Sequence, residues 1–301
     1  MARPAVSVVV VAHDMARELS RTLRTLTTPY QRGIDPDQYE ILVVDNGSSP
    51  PVSAASDAGV SVRVLRIEEA TVSPARAANV GVAAARGELV GLIVDGARMA
   101  SPGLIAGARL GASVASRAVV TAPAWHLGAE VQHGEGDREA EDRLLASAAW
   151  ESDGYALFRV AVPARSSARG LFGPMGESSS LFLGRGLWDE LGGLDERFVL
   201  PGGGMVNHDL YRRACGLAGV QLVVLLGEGT FHQYHGGAST SGRVPPDATR
   251  AEYEAIVGAP HRPPSNRPIY VGSVPTEYLP YLEQSVALAQ SREEVPSVSG
   301  P

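Results

Sequence analysis

Two short apolar runs, ILVV before Asp45 and LVGLIV before Asp95, each stop on an acid, and this pattern leaves few folds open. Apolar runs of that length bounded by turn residues are buried strands, and strands that alternate with helical stretches pair in a mainly parallel sheet. In an open α/β sheet, ligands bind outside the carboxyl ends of the strands. Acids at two such ends therefore point into one crevice. A third acid, Asp209 in NHDLYRRA, opens a later helical stretch.

The rest of the chain keeps this rhythm. Val6 to Ala12 is a β-branched run, and Met15, Leu19, Leu23 and Leu26 then recur at helical spacing. Tyr39 to Val44 and Val60 to Ile67 predict two more strands. Pro74 opens a helix that runs to about Arg86 and is closed by Gly87, and Glu88 to Val94 predicts the fourth strand. Ser101 and Pro102 read as the cap and first turn of another helix, and Val119 to Ala122 as a further strand. The polar, acidic stretch from Leu127 to Arg143 predicts a loop, and Tyr155 to Val162 an antiparallel strand. A short helix at Leu187 to Leu191, a glycine-rich loop, a helix from Asn207 to about Ala218 and a strand at Val220 to Leu226 follow, and FHQYHGGAS then reads as a loop. Beyond residue 241 the chain turns proline-rich with two helical patches, and its last residues, EEVPSVSGP, predict disorder. The expected organisation is an α/β domain over 1–241 and a partly helical extension over 242–301, whose proline-rich part is a candidate contact between two copies.

Composition removes whole mechanisms. All 26 basic residues are arginine, so no P-loop lysine, kinase strand lysine or Schiff-base amine exists. Cys215 is the single cysteine, which excludes an internal disulfide and a cysteine-cluster zinc site. A net charge of −7 argues against nonspecific nucleic-acid binding. No apolar run approaches the roughly 20 residues of a membrane span. The start, MARPAVSVVVVAHD, runs straight into a strand pattern without a typical cleavage site, and the expectation is a cytoplasmic protein. No G-x-S-x-G elbow supports a serine hydrolase.

Four motifs stand in order: SVVVVAHDMARELSRTLRTL, EILVVDNGSS, ARAANVGVAAARGELVGLIVDGARM and LGGLDERFVLPGGGMVNHDLYRRA, followed by FHQYHGG. Together they resemble the family 2 glycosyltransferases of the GT-A fold from Val6 to about Ser239. The resemblance implies a Rossmann-like sandwich with a mainly parallel sheet. It also implies an inverting enzyme that moves a sugar from a nucleotide-diphosphate sugar, with UDP favoured, to a hydroxyl acceptor, as in polysaccharide or glycoconjugate synthesis. Carried onto this sequence, Ala12, His13, Asp14 and Glu18 frame the nucleobase and Asp45 contacts base or ribose. Asn79 braces the donor loop, unless it is a surface amide. Asp95 matches the first acid of the family's DxD motif, near ribose and diphosphate.

Asp209 matches the acid that acts as general base in inverting members, although a helix N-terminal acid is equally favoured by the macrodipole. Trp125, Glu177, Ser178 and His208 fall on the acceptor side, where Trp125 either stacks on a sugar or belongs to the core. The second DxD acid, usually a ligand of Mg²⁺ or Mn²⁺, is here Ala97. Charge on the diphosphate is then met either by Arg98 or by a divalent ion held by Asp95 with His232 and His235, two histidines that could instead bind phosphate or serve structure. Ala97 also leaves room for a second reading, a noncatalytic nucleotide-sugar binding or scaffold protein. A sugar nucleotidyltransferase is disfavoured, because VVAHDMARE lacks a glycine-rich loop with basic phosphate contacts.

Overall fold

The computed structural model describes residues 3–53, 59–128, 138–237 and 244–293. The chain opens with the expected alternation, β1 (Val6–Ala12), α1 (Ala16–Leu26), β2 (Tyr39–Asp45), β3 (Ser61–Arg66), α2 (Ala75–Ala84) and β4 (Leu89–Ile93). Next come β5 (Arg98–Ala100), α3 (Leu104–Ser113), β6 (Ala118–Thr121), β7 (Ala124–Leu127), α4 (Arg138–Ala148) and β8 (Ala161–Pro163). Then follow β9 (Leu181–Gly184), α5 (Arg185–Leu191), α6 (Val206–Gly216), β10 (Gln221–Leu226), β11 (Thr230–His232), α7 (Pro246–Val257), β12 (Ile269–Gly272) and α8 (Leu279–Glu293).

Eight strands form the main sheet in the order β12-β10-β6-β9-β4-β1-β2-β3. All neighbours are parallel except at β9, which runs antiparallel to β4 and β6. The expectation of a mainly parallel α/β fold is met. Because side chains alternate across a strand, β1 feeds two cores. Val8 and Val10 pack with Leu19 and Leu26 of α1 and Leu104 and Ile105 of α3. Val9 and Val11 pack on the opposite face with Ala77 and Ala78 of α2, Leu187 of α5 and Leu210 of α6. Burying each such valine contributes about 1.5–3 kcal/mol. Gly81 lets α2 lie close on this face, since a Cβ there would stand 2.4 Å from Val9 Cγ1 and 2.7 Å from Val44 Cγ2.

Several local expectations change. Ser101 and Pro102 precede α3 rather than capping it, and the Ser101 hydroxyl instead donates to Glu228 and accepts the Gly229 N–H at 2.9 Å. The expected loop over 127–143 contains the start of α4, because Leu144 and Leu145 give EAEDRLLASA an apolar edge that packs on the core. The strand expected from Tyr155 to Val162 is mostly a 3-10 helix, Gly154–Val160, begun by Asp153 accepting the Tyr155 N–H. Only its end pairs, as β8 against β7. Part of the expected FHQYHGG loop is β11, paired between β5 and β7 in a second, four-stranded sheet. Beyond residue 241, β12 adds to the main sheet beside β10, and Tyr253, Tyr278 and Tyr281 are buried in the core. Most of the tail expected to be disordered, 294–301, lies outside the described residues. Among the described residues, no helix is long and apolar enough to cross a membrane.

Candidate active site

Parallel register brings the carboxyl ends of β1, β2 and β4 together. Ala12 faces Asp45 and Val10 faces Ile93. The Asn46 N–H donates to the Ala12 carbonyl at 2.9 Å and the Gly96 N–H to the Val11 carbonyl at 2.7 Å, which sets the Asp95 turn beside the loop after β1. In that loop His13 and Asp14 are more than half exposed, the His13 Nδ1 lying 2.9 Å from the Asn46 carbonyl oxygen. Asp14 sits at φ +48°, a left-handed conformation that is costly for an aspartate. Its N–H donates to Ser48 Oγ at 3.1 Å, and its carboxylate accepts the Ser49 N–H at 2.7 Å.

Three other residues expected to meet the donor have different immediate partners. Ala12 is buried at the end of β1. Asp45 is fully buried, with its oxygens taken by the Ser48 N–H at 2.8 Å, the Val52 N–H at 3.1 Å and Arg66 Nη1 at 2.7 Å. Burial pushes its pKa up, but these donors prevail and hold the carboxyl below its usual value. Asp45 therefore shapes the loop from beneath and presents no open carboxylate to a base or ribose. Glu18 is likewise buried, accepts from Arg17 Nη1 at 2.8 Å and has Arg138 Nε at 3.7 Å, so its side chain does not open on the crevice. Asn79 does brace a loop: Nδ2 donates to the Leu194 carbonyl at 3.0 Å and to Glu196 Oε1 at 2.8 Å, while Oδ1 accepts the Leu194 N–H at 2.8 Å.

Asp95, His232 and His235 converge. Asp95 Oδ2 lies 2.8 Å from His232 Nε2 and 3.4 Å from His235 Nε2, and the two ring nitrogens are 3.1 Å apart. Neighbouring ligands held at about 2.1 Å by a six-coordinate ion stand about 3.0 Å apart, so the three donors have the spacing of one face of a metal site. Burial would raise the Asp95 pKa, but His235 and His232 outweigh it and hold the carboxyl well below the usual range. Burial, reinforced by the charge of Arg98, outweighs Asp95 at His232 and keeps that ring neutral, as a ligand must be. At His235 burial acts in the same direction, but Asp95 prevails and raises the pKa.

The histidine segment is clamped from several sides. The Gln233 N–H donates to the Ala97 carbonyl at 2.8 Å, and Gln233 Nε2 donates to the Glu18 carbonyl at 3.0 Å and to Thr22 Oγ1 at 3.1 Å. The Tyr234 N–H donates to Glu141 of α4, itself buried and held by Arg17 at 3.3 Å and Arg21 at 3.4 Å. Glu141 and Gln233 were not legible as site residues, because nothing in EAEDR or FHQYH says which helix each will reach. Arg98 faces His232 across the β5–β11 pair, and its Nη1 is buried without a hydrogen-bond partner. Ala97, at the second DxD position, is fully buried, and its N–H donates to Asp95 Oδ1 at 2.9 Å.

For the residues expected on the acceptor side the strand register is again informative. Leu92 of β4 faces Leu181 of β9, so the residues before Leu181 run beside those after Leu92. Ser178 is buried with its hydroxyl 2.7 Å from Thr121 Oγ1, and Ser179 Oγ lies 2.6 Å from Thr230 Oγ1, two residues before His232. Glu177, next in this loop, has Oε2 3.6 Å from Nδ1 of His208, on the first turn of α6.

Two expectations fail here. Trp125 is core: its ring packs at 4.4–5.8 Å against Phe158, Tyr278 and Tyr281, which leaves no face for a sugar. Asp209 is 3% exposed, with Oδ1 taken by Arg212 Nη2 at 2.9 Å and Oδ2 by Arg213 Nε at 2.6 Å. Arg213 continues to the carbonyls of Leu191 and Gly193, at 2.9 and 2.8 Å. The carboxylate is thus a buried strut between α6 and the end of α5 with the loop after it, and both its oxygens are occupied.

Residues 7–95 match the family model for glycosyl transferase family 2. A comparison with curated protein sequences returns no match. Among solved structures, a mannosyltransferase from Pyrobaculum calidifontis, PcManGT, in complex with GDP-Man and Mn²⁺ is similar at TM-score 0.52 and 14% identity, over 100% of this chain and 77% of that one. TarS 1-349 from S. aureus in complex with UDP-GlcNAc is similar at TM-score 0.52 and 12% identity, over 84% of this chain and 65% of that one. A further TarS structure is similar at TM-score 0.50 and 12% identity, over 77% of this chain but only 37% of that one. The sheet order and these likenesses give the chain a GT-A type α/β fold, and the stretch 7–95 carries the likeness to glycosyl transferase family 2.

Proposed function

We propose that the protein moves a sugar, with inversion, from a nucleotide-diphosphate sugar, UDP-linked by preference, to a hydroxyl acceptor, with a divalent ion held by Asp95, His232 and His235. The observation that carries this reading is the convergence of those three donors at the end of β4, beside the loops that follow β1 and β2. An ion bound there would neutralise charge on the departing diphosphate. Two imidazoles and one carboxylate favour Mn²⁺ over Mg²⁺, which prefers oxygen ligands. The buried position of Ala97 supports the same reading, because the missing acid has a substitute in His232. Arg98, with a buried, unpartnered Nη1, supplies a second positive charge beside the ion. His13 and Asp14, the exposed members of the β1 loop, face the nucleoside, while Asp45 and Asn79 hold the loops around it.

Calorimetric titration with UDP, dTDP and GDP, each with Mn²⁺, with Mg²⁺ and with chelator, tests the reading. Micromolar binding of one diphosphate that weakens at least tenfold on chelation is the expected result. Binding indifferent to metal would assign charge neutralisation to Arg98 alone, and no binding under any condition would favour a scaffold.

A further inference from the structure

With Asp209 locked between two arginines, the crevice needs another group to take a proton from the acceptor. A general base must reach the attacking hydroxyl and have a free lone pair. Both Asp209 oxygens are already accepting from guanidinium groups, and its side chain is 3% exposed.

We propose that His208, oriented by Glu177, is the general base of the transfer. This inference rests on the glycosyl-transfer reading. His208 lies one residue before Asp209, so it leaves α6 in another direction, and its side chain is 28% exposed. Its Nδ1 is buried without a hydrogen-bond partner, and Glu177 Oε2 lies 3.6 Å from it. Hydrogen bonds of this kind are commonly long without substrate and tighten in the complex. A contraction of about 0.6 Å gives an ordinary N–H···O bond. Glu177 then fixes the proton on Nδ1, which leaves the lone pair on Nε2. This division of labour is that of an imidazole base oriented by a buried carboxylate.

Placement agrees with the role. Glu177 is one residue from Ser178, in the loop that runs back beside the end of β4 where Asp95 stands. The groups facing His208 are Glu177 from that loop, His261 from the segment after α7, whose ring meets that of His208 edge-on at 5.0 Å, and Arg212 one turn along α6. Burial first, reinforced by the charge of Arg212, pushes the His261 pKa down to about 4, so this neighbour is neutral and does not compete as a cation. Asn207, next to His208, has a buried Oδ1 without a hydrogen-bond partner, a free acceptor for a second hydroxyl of the incoming molecule.

In the step itself the acceptor O–H proton passes to His208 Nε2 while the acceptor oxygen forms a bond to the anomeric carbon from the face opposite the diphosphate. The anomeric C–O bond to the diphosphate breaks, and its electron pair leaves with the nucleoside diphosphate. The imidazolium then returns its proton to solvent.

The test uses water as acceptor, because a base poised on a hydroxyl also activates water. UDP-glucose, UDP-N-acetylglucosamine and GDP-mannose are supplied with Mn²⁺; donor binding is measured by calorimetry and turnover by release of nucleoside diphosphate. For the donor that binds, His208→Gly and His208→Gln are expected to lose about 10²–10⁴-fold in kcat with donor affinity within threefold of wild type. Added imidazole should restore turnover to His208→Gly, which a structural role would not produce. Glu177→Gln should lose less, and imidazole should not rescue it. Asp209→Asn should keep its kcat per folded molecule within threefold. Retained turnover in both His208 variants, loss of turnover in folded Asp209→Asn, or a wild-type enzyme that binds donor without releasing product would each overturn the assignment. If wild type binds none of the donors, the functional reading itself fails, and the base assignment with it.

Discussion

Replacing His232 with alanine removes one of three donors and leaves Asp95 and His235 to hold an ion alone. In wild type the His232 Nε2 lies 2.8 Å from the shared carboxylate oxygen, the shortest of the three separations. Losing an outer-sphere partner of a metal ligand typically costs 10–100-fold in affinity. Loss of a ligand itself should cost at least about 100-fold, or about 2.7 kcal/mol. Taking a wild-type Kd of about 1 μM, 1 mM Mn²⁺ stabilises the folded protein by about 4.1 kcal/mol, and a 100-fold weaker variant by about 1.4 kcal/mol. For a chain of 301 residues these correspond to rises in Tm of about 6 °C and about 2 °C. The assay is differential scanning fluorimetry of each protein with Mn²⁺ and with chelator. Comparing the increment within each protein cancels the cost of emptying a buried imidazole site. A Mn²⁺ increment in His232→Ala equal to that of wild type would refute the ligand assignment.

Other perturbations test the supports of the site. Glu141→Gln removes the charge that holds the Tyr234 N–H and two arginines, and should weaken Mn²⁺ binding by about 10-fold without touching a ligand, read by the same fluorimetry. Asp209→Asn should lower stability by about 1–3 kcal/mol in urea unfolding while donor binding is unchanged. Gly81→Ala should cost about 1–3 kcal/mol by pushing α2 off Val9 and Val44, seen in the same unfolding curves. Asp45 sets an acid limb. Its folded pKa lies below the unfolded value, so its contribution is present above the unfolded value and is lost as pH falls through the folded one. Asp45→Asn should therefore be less stable at neutral pH, with a shallower loss of stability below about pH 4, measured by urea midpoints across the acid range.

The strands and helices up to Ile93 were legible because each is a local pattern: a β-branched run such as VSVVVVA reads as a strand buried on both faces. The strand Leu181–Gly184 was not, since SLFLG is short and becomes a strand only through the gap between β4 and β6. The candidate metal triad was half legible. Asp95 follows from its place at a strand end, and His232 and His235 were paired with it through family resemblance, but their convergence depends on β11 lying between β5 and β7. Asp209 shows the limit of motif matching, because one helical residue rotates a side chain by about 100°. The spacing of Arg212 and Arg213 three and four residues later was the available signal that its carboxylate is held on its own helix. Trp125 follows the same lesson: an aromatic beside a predicted strand is settled by what packs on it, here residues some 30 to 150 positions away.

The most direct test is a crystal structure of the protein grown with UDP and Mn²⁺, with anomalous data collected at the manganese edge. An anomalous peak about 2.0–2.3 Å from Asp95 Oδ2, His232 Nε2 and His235 Nε2, with the diphosphate oxygens on its remaining positions, is the result expected of this account. Bound UDP with no manganese between those three side chains would contradict it.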